Sequence, residues 1–238
     1  MRGKEFLIWL VTALVCVALP SAALGRAGDL YISDAGVQSV LRMDPRTGVT
    51  EEIATDADGI DIPDGLAFNR RGILFFTDYG GNGVDGAVWK VNPRTKVVDN
   101  VTASGEGLQQ PLDLVVGADG QLYVSDIDPD AVFRVNPSTG DRKTLAAGGP
   151  FAQGGPLGID RAPSGTLFTV DGNVAAMGNA FGVIRVRPRS GATRLVASGP
   201  NPSDGYGFAL APNGKTAWVG DTQLDTLLLP RFWTADSI

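Results

Sequence analysis

Three features of the 238-residue sequence predict an all-β fold made of repeated small sheets. The first is a hydrophobic segment that follows a Gly and ends on an Asp, at Asp34, Asp78, Asp126, Asp171 and Asp221, with spacings of 44, 48, 45 and 50 residues. The second is composition, because 32 Gly and 15 Pro supply many turns and favour short strands over long helices. The third is that one such unit cannot bury both of its faces alone. A period in the forties with three or four short strands per unit is typical of a β-propeller blade.

The five units follow one another without a linker, and each divides into three hydrophobic segments. They span 28–34, 40–48 and 52–54; 63–68, 72–78 and 88–93; 111–116, 120–126 and 132–140; 156–160, 165–171 and 183–188; and 206–210, 214–221 and 226–230. The segments of Asn-Pro-x-Thr-Gly type predict turns between strands, since Pro fixes φ and Gly accepts the left-handed conformation.

The first and last units are incomplete, so the blade count stays open. Residues 22–27 stand where an inner strand of unit one would be, and the last unit has no clear outer strand before Ile238. One interpretation is a five-bladed ring closed by these two partial blades. The other is a shortened relative of a six-bladed propeller.

The N-terminus has the organisation of a secretory signal peptide. Arg2 and Lys4 precede an apolar run over 6–19, and small residues lead to a cleavage site after Ala23. We therefore expect a signal peptide over 1–23 and a propeller domain over 24–238, exported to a bacterial periplasm or secreted. An uncleaved membrane anchor is the alternative, for which the apolar run is short.

Charge and histidine content exclude several classes of function. The net charge is −6 and no run of Lys and Arg occurs, which argues against nucleic-acid and membrane-surface binding. The chain has no histidine, so Ser-His-Asp catalysis and His-ligated zinc are excluded. A metal would have to be held by oxygen ligands, as Ca²⁺ or Mg²⁺ is.

A repeat separates scaffold from site, because residues that recur in every unit are expected to be structural. The strand-ending aspartates recur, so we expect them to accept hydrogen bonds from turn amides. The turn 126–130 alternates carboxylates but lacks the later ligands of a calcium loop, and is interpreted as a solvated turn. The glycine-rich insertions at 79–86 and 172–182 differ between units and are candidates for recognition.

The candidate ligand-binding residues lie where the units differ, at the entry to the inner strands. They are Asp61, Asp64, Asp113, Asp204 and Tyr206. Asp64 takes the place that Leu112, Leu157 and Tyr206 hold in other units, and Asp113 takes a place otherwise held by Gly. Converging carboxylates could hold Ca²⁺, with Asp64 and Asp113 as the metal ligands.

Three motifs resemble NHL repeats and the SMP-30/gluconolactonase/strictosidine-synthase-like group of propellers. They are Pro-Asp-Gly-Leu-Ala-Phe at 63–68, Leu-Tyr-Val-Ser-Asp at 122–126 and Val-Asn-Pro-Ser-Thr-Gly at 135–140. The resemblance implies a propeller, usually of six blades. In SMP-30-like enzymes the Asp of the Pro-Asp-Gly motif is a metal ligand, and Asp64 matches it. The Glu and Asn ligands of those enzymes have no match here, which counts against an intact lactonase.

The sequence therefore predicts a module that binds a small-molecule or protein ligand through its loops, with catalysis unproven. One alternative is a Ca²⁺- or Mg²⁺-dependent hydrolase of a lactone or ester, with the metal in the central channel. Another is a scaffold or assembly role with no small-molecule site. No nucleic-acid partner is expected, and no membrane span is expected once the signal peptide is removed.

Overall fold

A computed structural model describes residues 28–80, 85–102, 108–151, 155–174, 180–199, 205–221 and 226–228. The predicted signal peptide and the 22–27 segment lie outside the described residues. The described part is all-β apart from a 3-10 helix at Asp56–Asp58. None of the helical structure described is long and apolar enough to span a membrane.

Eighteen strands are described and form five antiparallel sheets in chain order. The strands are β1 (Leu30–Asp34), β2 (Ser39–Met43), β3 (Thr50–Ala54), β4 (Pro63–Phe68), β5 (Leu74–Asp78), β6 (Ala87–Val91), β7 (Val98–Asn100), β8 (Pro111–Val116), β9 (Leu122–Asp126), β10 (Ala131–Val135), β11 (Arg142–Ala147), β12 (Pro156–Arg161), β13 (Leu167–Val174), β14 (Ala180–Val186), β15 (Thr193–Gly199), β16 (Gly205–Leu210), β17 (Ala217–Asp221) and β18 (Thr226–Leu228).

The five predicted units are confirmed as five sheets. Sheets two, three and four have the orders β4-β5-β6-β7, β8-β9-β10-β11 and β12-β13-β14-β15. The first sheet, β1-β2-β3, lacks an inner strand and the last, β16-β17-β18, lacks an outer one within the described residues.

Successive sheets pack on one another through four hydrophobic clusters, one at each interface. Alternate side chains of β5 point to opposite faces of the sheet, so this one strand contributes to two of the clusters. Leu74 and Phe76 pack toward the first sheet, whereas Phe75 packs toward the third. A strand that is covered on both faces must be apolar throughout, which accounts for the Leu-Phe-Phe run.

The first described strand of each sheet carries this packing from one sheet to the next. β1 packs on β4, β4 on β8, β8 on β12 and β12 on β16. No comparable contact joins the fifth sheet to the first among the described residues, so these residues do not close a ring, and the choice between a five-bladed ring and a shortened six-bladed relative stays open.

The antiparallel order gives the sheets two distinct ends. We call one end the loop face: the inner strands begin there, and it carries the connections from second to third strands and from one sheet to the next. We call the other end the turn face: it carries the tight turns from first to second and from third to fourth strands.

Candidate functional site

Strand-ending aspartates organise the loop face, as the sequence predicts. Asp78 accepts hydrogen bonds from the amides of Asp61 (3.2 Å) and Ile62 (2.8 Å), the two residues before Pro63. In the next sheet, Asp126 accepts from Gln109 and Gln110, both at 2.9 Å. These two residues likewise precede a proline, which has no N–H of its own to satisfy. Each aspartate thus fixes the entry of an inner strand against the end of the second strand.

Asp126 also accepts from the amide of Asp128 within the 126–130 turn. The side chain of Asp128 is exposed, which agrees with a solvated turn. Asp34 of the first sheet accepts from its own turn, at the amides of Gly36 (2.9 Å) and Val37 (3.3 Å).

Every described inner strand that begins a sheet has a register irregularity at its entry. The pairing shifts between Pro63 and Leu66, and between Pro111 and Asp113. The fourth and fifth sheets repeat the shift between Pro156 and Ile159 and between Gly205 and Gly207. A bulge re-aims side chains and is common beside binding sites. Asp64 lies within this bulge, and Asp113 lies at its end.

Asp113 is buried, with both carboxylate oxygens engaged by backbone amides. Oδ1 accepts from Leu114 (2.8 Å) and Oδ2 accepts from Ile159 of the next inner strand (2.9 Å). Burial raises the pKa of Asp113 to about 8, although the two amides act in the opposite direction. The negative charge of Asp64 raises it further. Asp113 therefore joins two sheets, which is a structural task.

Asp64 is half-buried, and no hydrogen bond from a described residue reaches its carboxylate. Burial alone raises its pKa to about 6. The adjacent Gly65 explains how the two inner strands come together. A Cβ at this position would lie 2.5 Å from both Cα and Oδ1 of Asp113. Glycine is thus required for the approach that places Asp64 beside Asp113.

The other predicted ligands behave differently from Asp64. Asp61 accepts a hydrogen bond from Nε2 of Gln38, at 2.7 Å, so its carboxylate is tied to the first sheet. Tyr206 lies in β16, but its side chain is not among the described groups. Asp204 lies outside the described residues. The convergence of all five candidates stays a prediction.

The predicted metal site also stays a prediction. Within the described residues, no group of three or more carboxylates comes together in a way that could hold a metal ion. The physical reason is visible in the partners: Asp113 is engaged by amides and Asp61 by an amide side chain. Among these described candidates only Asp64 offers a carboxylate without a hydrogen-bond partner, so the described donor set does not fit Ca²⁺.

The two glycine-rich insertions lie on the loop face. The first contributes Tyr79, Gly80, Asp85 and Gly86 to the described chain. The second is in part an extension of the hairpin, because β13 continues to Val174 and pairs with Ala180 of β14. It is therefore more regular than its composition predicts.

The two faces differ in charge, which the sequence analysis missed. Every Lys and Arg between residues 28 and 228 lies at or beside the turn face, and the described loop face has none. All the charged side chains described on the loop face are acidic: Asp34, Asp56, Asp58, Asp61, Asp64, Asp78, Asp85, Asp113, Asp126, Asp128, Asp130 and Asp171. Sorting charged residues by their position within each repeat would have revealed it.

Comparison with known proteins gives structural neighbours only. No family model matches the chain, and no curated protein matches it by sequence. A catalytically inactive variant of virginiamycin B lyase from Staphylococcus aureus, bound to quinupristin, superposes with a TM-score of 0.65 at 16% identity. That match covers 94% of this chain and 71% of the lyase.

Two further neighbours have different functions. The nidogen/laminin complex matches with a TM-score of 0.68 at 18% identity, covering 85% of this chain and 71% of that one. A protein described as a gluconolactonase matches with a TM-score of 0.64 at 20% identity, covering 84% and 69%. All these identities are low, so the likeness is one of fold. The predicted fold is thereby confirmed: the chain is built as a β-propeller, like virginiamycin B lyase, the protein of the nidogen/laminin complex and the protein described as a gluconolactonase.

Proposed function

We propose that the chain is an exported propeller module that binds a positively charged ligand or protein partner through its loop face. The observation that carries the proposal is the charge of this face, where the described residues include carboxylates and no cation. Several of these carboxylates are exposed, at Asp56, Asp58, Asp85 and Asp128. Uncompensated charge of one sign attracts partners of the other and speeds their association.

Two of the neighbours bear on this proposal. Nidogen was found in a complex with laminin, which is consistent with a propeller serving as a protein-binding module. The virginiamycin B lyase variant lost its activity and carries alanine in place of a histidine. The present chain has no histidine, so that lyase's chemistry does not transfer to it.

Binding of a deca-lysine peptide, followed by calorimetry at several salt concentrations, tests the proposal. We expect saturable binding that weakens with salt, and about tenfold weaker binding when Asp56, Asp58, Asp85 and Asp128 are all replaced by Asn. Asp64→Asn is the matched control, because it removes one recessed charge from the same face and should leave binding nearly unchanged. No binding by the wild type, or equal binding by the fourfold variant, would contradict the proposal.

Export is tested separately, by expressing the full chain in a bacterial host. We expect the protein outside the cytoplasm to begin at Leu24, as measured by the mass of the intact chain. A chain that retains residues 1–23 in the membrane fraction would favour the uncleaved anchor.

A metal-dependent hydrolase is the second candidate function, favoured by Asp64 alone. Its carboxylate is half-buried, has no described partner and has a raised pKa, a combination found at functional sites. A metal bound only by the folded protein must raise its thermal stability. A rise in unfolding temperature with millimolar Ca²⁺ that chelator reverses and Asp64→Asn abolishes would support this candidate. No shift with Ca²⁺ or Mg²⁺ would remove it.

A further inference from the structure

The strongest unassigned feature is on the turn face, between the third and fourth sheets. A cleft of about 700 Å³ opens there and is lined by Tyr123, Arg134, Arg161, Arg187 and Arg189, together with Asp119. Four guanidinium groups and one carboxylate therefore share a volume that suits a small ligand.

The single carboxylate of the cleft is already engaged. Asp119 accepts hydrogen bonds from the hydroxyl of Tyr123 (3.0 Å), from Nη2 of Arg134 (3.3 Å) and from the amide of Gln121 (3.2 Å). Asp119 thus pairs with Arg134, and it leaves three guanidinium groups of the cleft without an ion pair to a described residue.

The remaining three arginines form no ion pair with a described residue. Arg161 donates only to backbone carbonyls, from Nε to Val116 (3.3 Å) and from Nη1 to Ala162 (3.4 Å). These contacts orient the guanidinium across the interface. Burial raises the pKa of the adjacent Asp160, and the positive charge of Arg161 acts in the opposite direction, so this carboxylate partly balances Arg161 without forming an ion pair. Arg187 and Arg189 are exposed on the turn between β14 and β15.

Arg187 differs from the residues at the same position in the other sheets, and its turn lacks a hydrogen bond that their turns contain. The equivalent residues of the first three sheets are Asp44, Asn92 and Asn136, and each accepts a hydrogen bond from the amide two positions later, at 2.9, 3.0 and 2.9 Å. Arginine has no acceptor and cannot make this bond. At this position the fourth sheet therefore has a positively charged side chain in place of one that caps the turn.

Arg161 departs from the repeat in the same cleft. It ends its inner strand where the other sheets have the apolar residues Phe68, Val116 and Leu210. Two independent departures, both to arginine and both lining one cleft, are not explained by the scaffold.

The neighbouring clefts have a smaller excess of positive charge. Between the second and third sheets, a cleft of about 820 Å³ is lined by Arg70, Arg71 and Lys90 and by the carboxylates of Asp99 and Asp119. Lys90 pairs with Asp99 at 3.5 Å. Between the first and second sheets, Glu51 pairs with both Arg42 and Lys96. Among the clefts described, the one between the third and fourth sheets gathers three arginines without an ion pair, whereas the adjacent cleft has two, Arg70 and Arg71.

We propose that this cleft binds a small ligand that carries phosphate or sulfate groups. Guanidinium groups donate paired hydrogen bonds that match the geometry of such oxyanions. The site is distinct from the loop face and does not depend on the function proposed for it.

Calorimetry of the full chain at low salt, with inorganic phosphate, tripolyphosphate and sulfate as probes, tests the proposal. We expect saturable binding of one or more probes, strongest for the most highly charged. The decisive variant is the pair Arg161→Leu and Arg187→Asn, which restores at both positions the residue types found in the other sheets. It should unfold at an equal or higher urea concentration and bind at least about tenfold more weakly.

The matched control is Arg70→Gln with Arg71→Gln, which removes the same charge from the adjacent cleft of the same face. We expect this variant to bind as the wild type does. Equal losses in both double variants would show diffuse attraction and overturn the site, as would a wild type that binds none of the probes. Arg189→Gln, an exposed turn substitution, provides the same test if the first double variant does not fold.

Discussion

The loop face and the turn face supply hydrogen-bond acceptors to their backbone amides in different ways. Both must satisfy backbone amides where the chain reverses direction. On the loop face of the third sheet, Asp126 is fully buried and reaches amides 16 and 17 residues away in the chain. On the turn face of the same sheet, Asn136 caps an exposed amide only two residues away. Long-range bonds hold the loop face together, whereas each turn on the other face is a local unit.

Asp126→Ala should cause the largest loss of stability. The substitution leaves three amides without an acceptor at a buried position, so we expect a loss of about 3–4 kcal/mol in the free energy of unfolding. Urea denaturation measures it. Asp128→Ala is the control, because that side chain is exposed two residues away and should cost about 0.5 kcal/mol or less. Equal losses in the two variants would mean that the long-range bonds do not stabilise the loop face.

Gly65→Ala should cause the second-largest loss of stability, because the added Cβ would lie 2.5 Å from Cα and Oδ1 of Asp113. Overpacking of this kind costs about 2 kcal/mol, and here it would separate two inner strands. Gly120→Ala on the turn face is the matched control. Its Cβ would meet open space, but its φ of +77° still costs about 1 kcal/mol. Equal unfolding midpoints for the two variants would contradict the close approach at the loop face.

The pH dependence of stability should show the effect of burying the Asp64 carboxyl, which no hydrogen bond from a described residue reaches. The raised pKa of about 6 means that the folded state holds the proton more tightly than the unfolded state. The resulting stabilisation is complete at low pH and is lost as the pH rises from about 4 through 6. Asp64→Asn should therefore be more stable than the wild type at pH 7, by about 1–2 kcal/mol.

Thermal unfolding of both proteins at pH 4 and pH 7 provides the measurement. Gly120→Ala, which changes no titrating group, should shift stability by the same amount at the two pH values. If the stability difference between Asp64→Asn and the wild type were also the same at pH 4 and pH 7, burial would not destabilise the ionised carboxyl of Asp64.

Particular residues show how far the sequence predicts the structure. The assignment of strand-ending aspartates to the scaffold is confirmed at Asp34, Asp78 and Asp126, each of which accepts hydrogen bonds from backbone amides. The run at 74–76 was correctly expected to be a strand, since a strand packed on both faces is apolar throughout. Ring closure could not be predicted, because it depends on contacts between the two ends of the chain.

The chemistry of the site was less predictable, for a physical reason. Asp64 and Asp113 were both predicted as ligands from their positions in the repeat, but sequence position cannot show which carboxylate is engaged by backbone amides. The arginines were overlooked because they are dispersed in the sequence and come together only across sheets. Arg161 and Arg187 carry a signal that alignment of the units does show, since each replaces an apolar or capping residue at its position.

The smallest loss of stability is expected on the turn face of the third sheet, at Asn136. Asn136→Ala removes a single bond to the amide of Ser138, at 2.9 Å, on an exposed turn where water replaces the lost acceptor. We expect a loss of about 0.5–1 kcal/mol, measured by the same urea titrations as Asp126→Ala. Asn136→Asp keeps the acceptor and should retain most of the stability. If Asn136→Ala cost as much as Asp126→Ala, the turns would not be local units, and the two faces would share one kind of stabilisation.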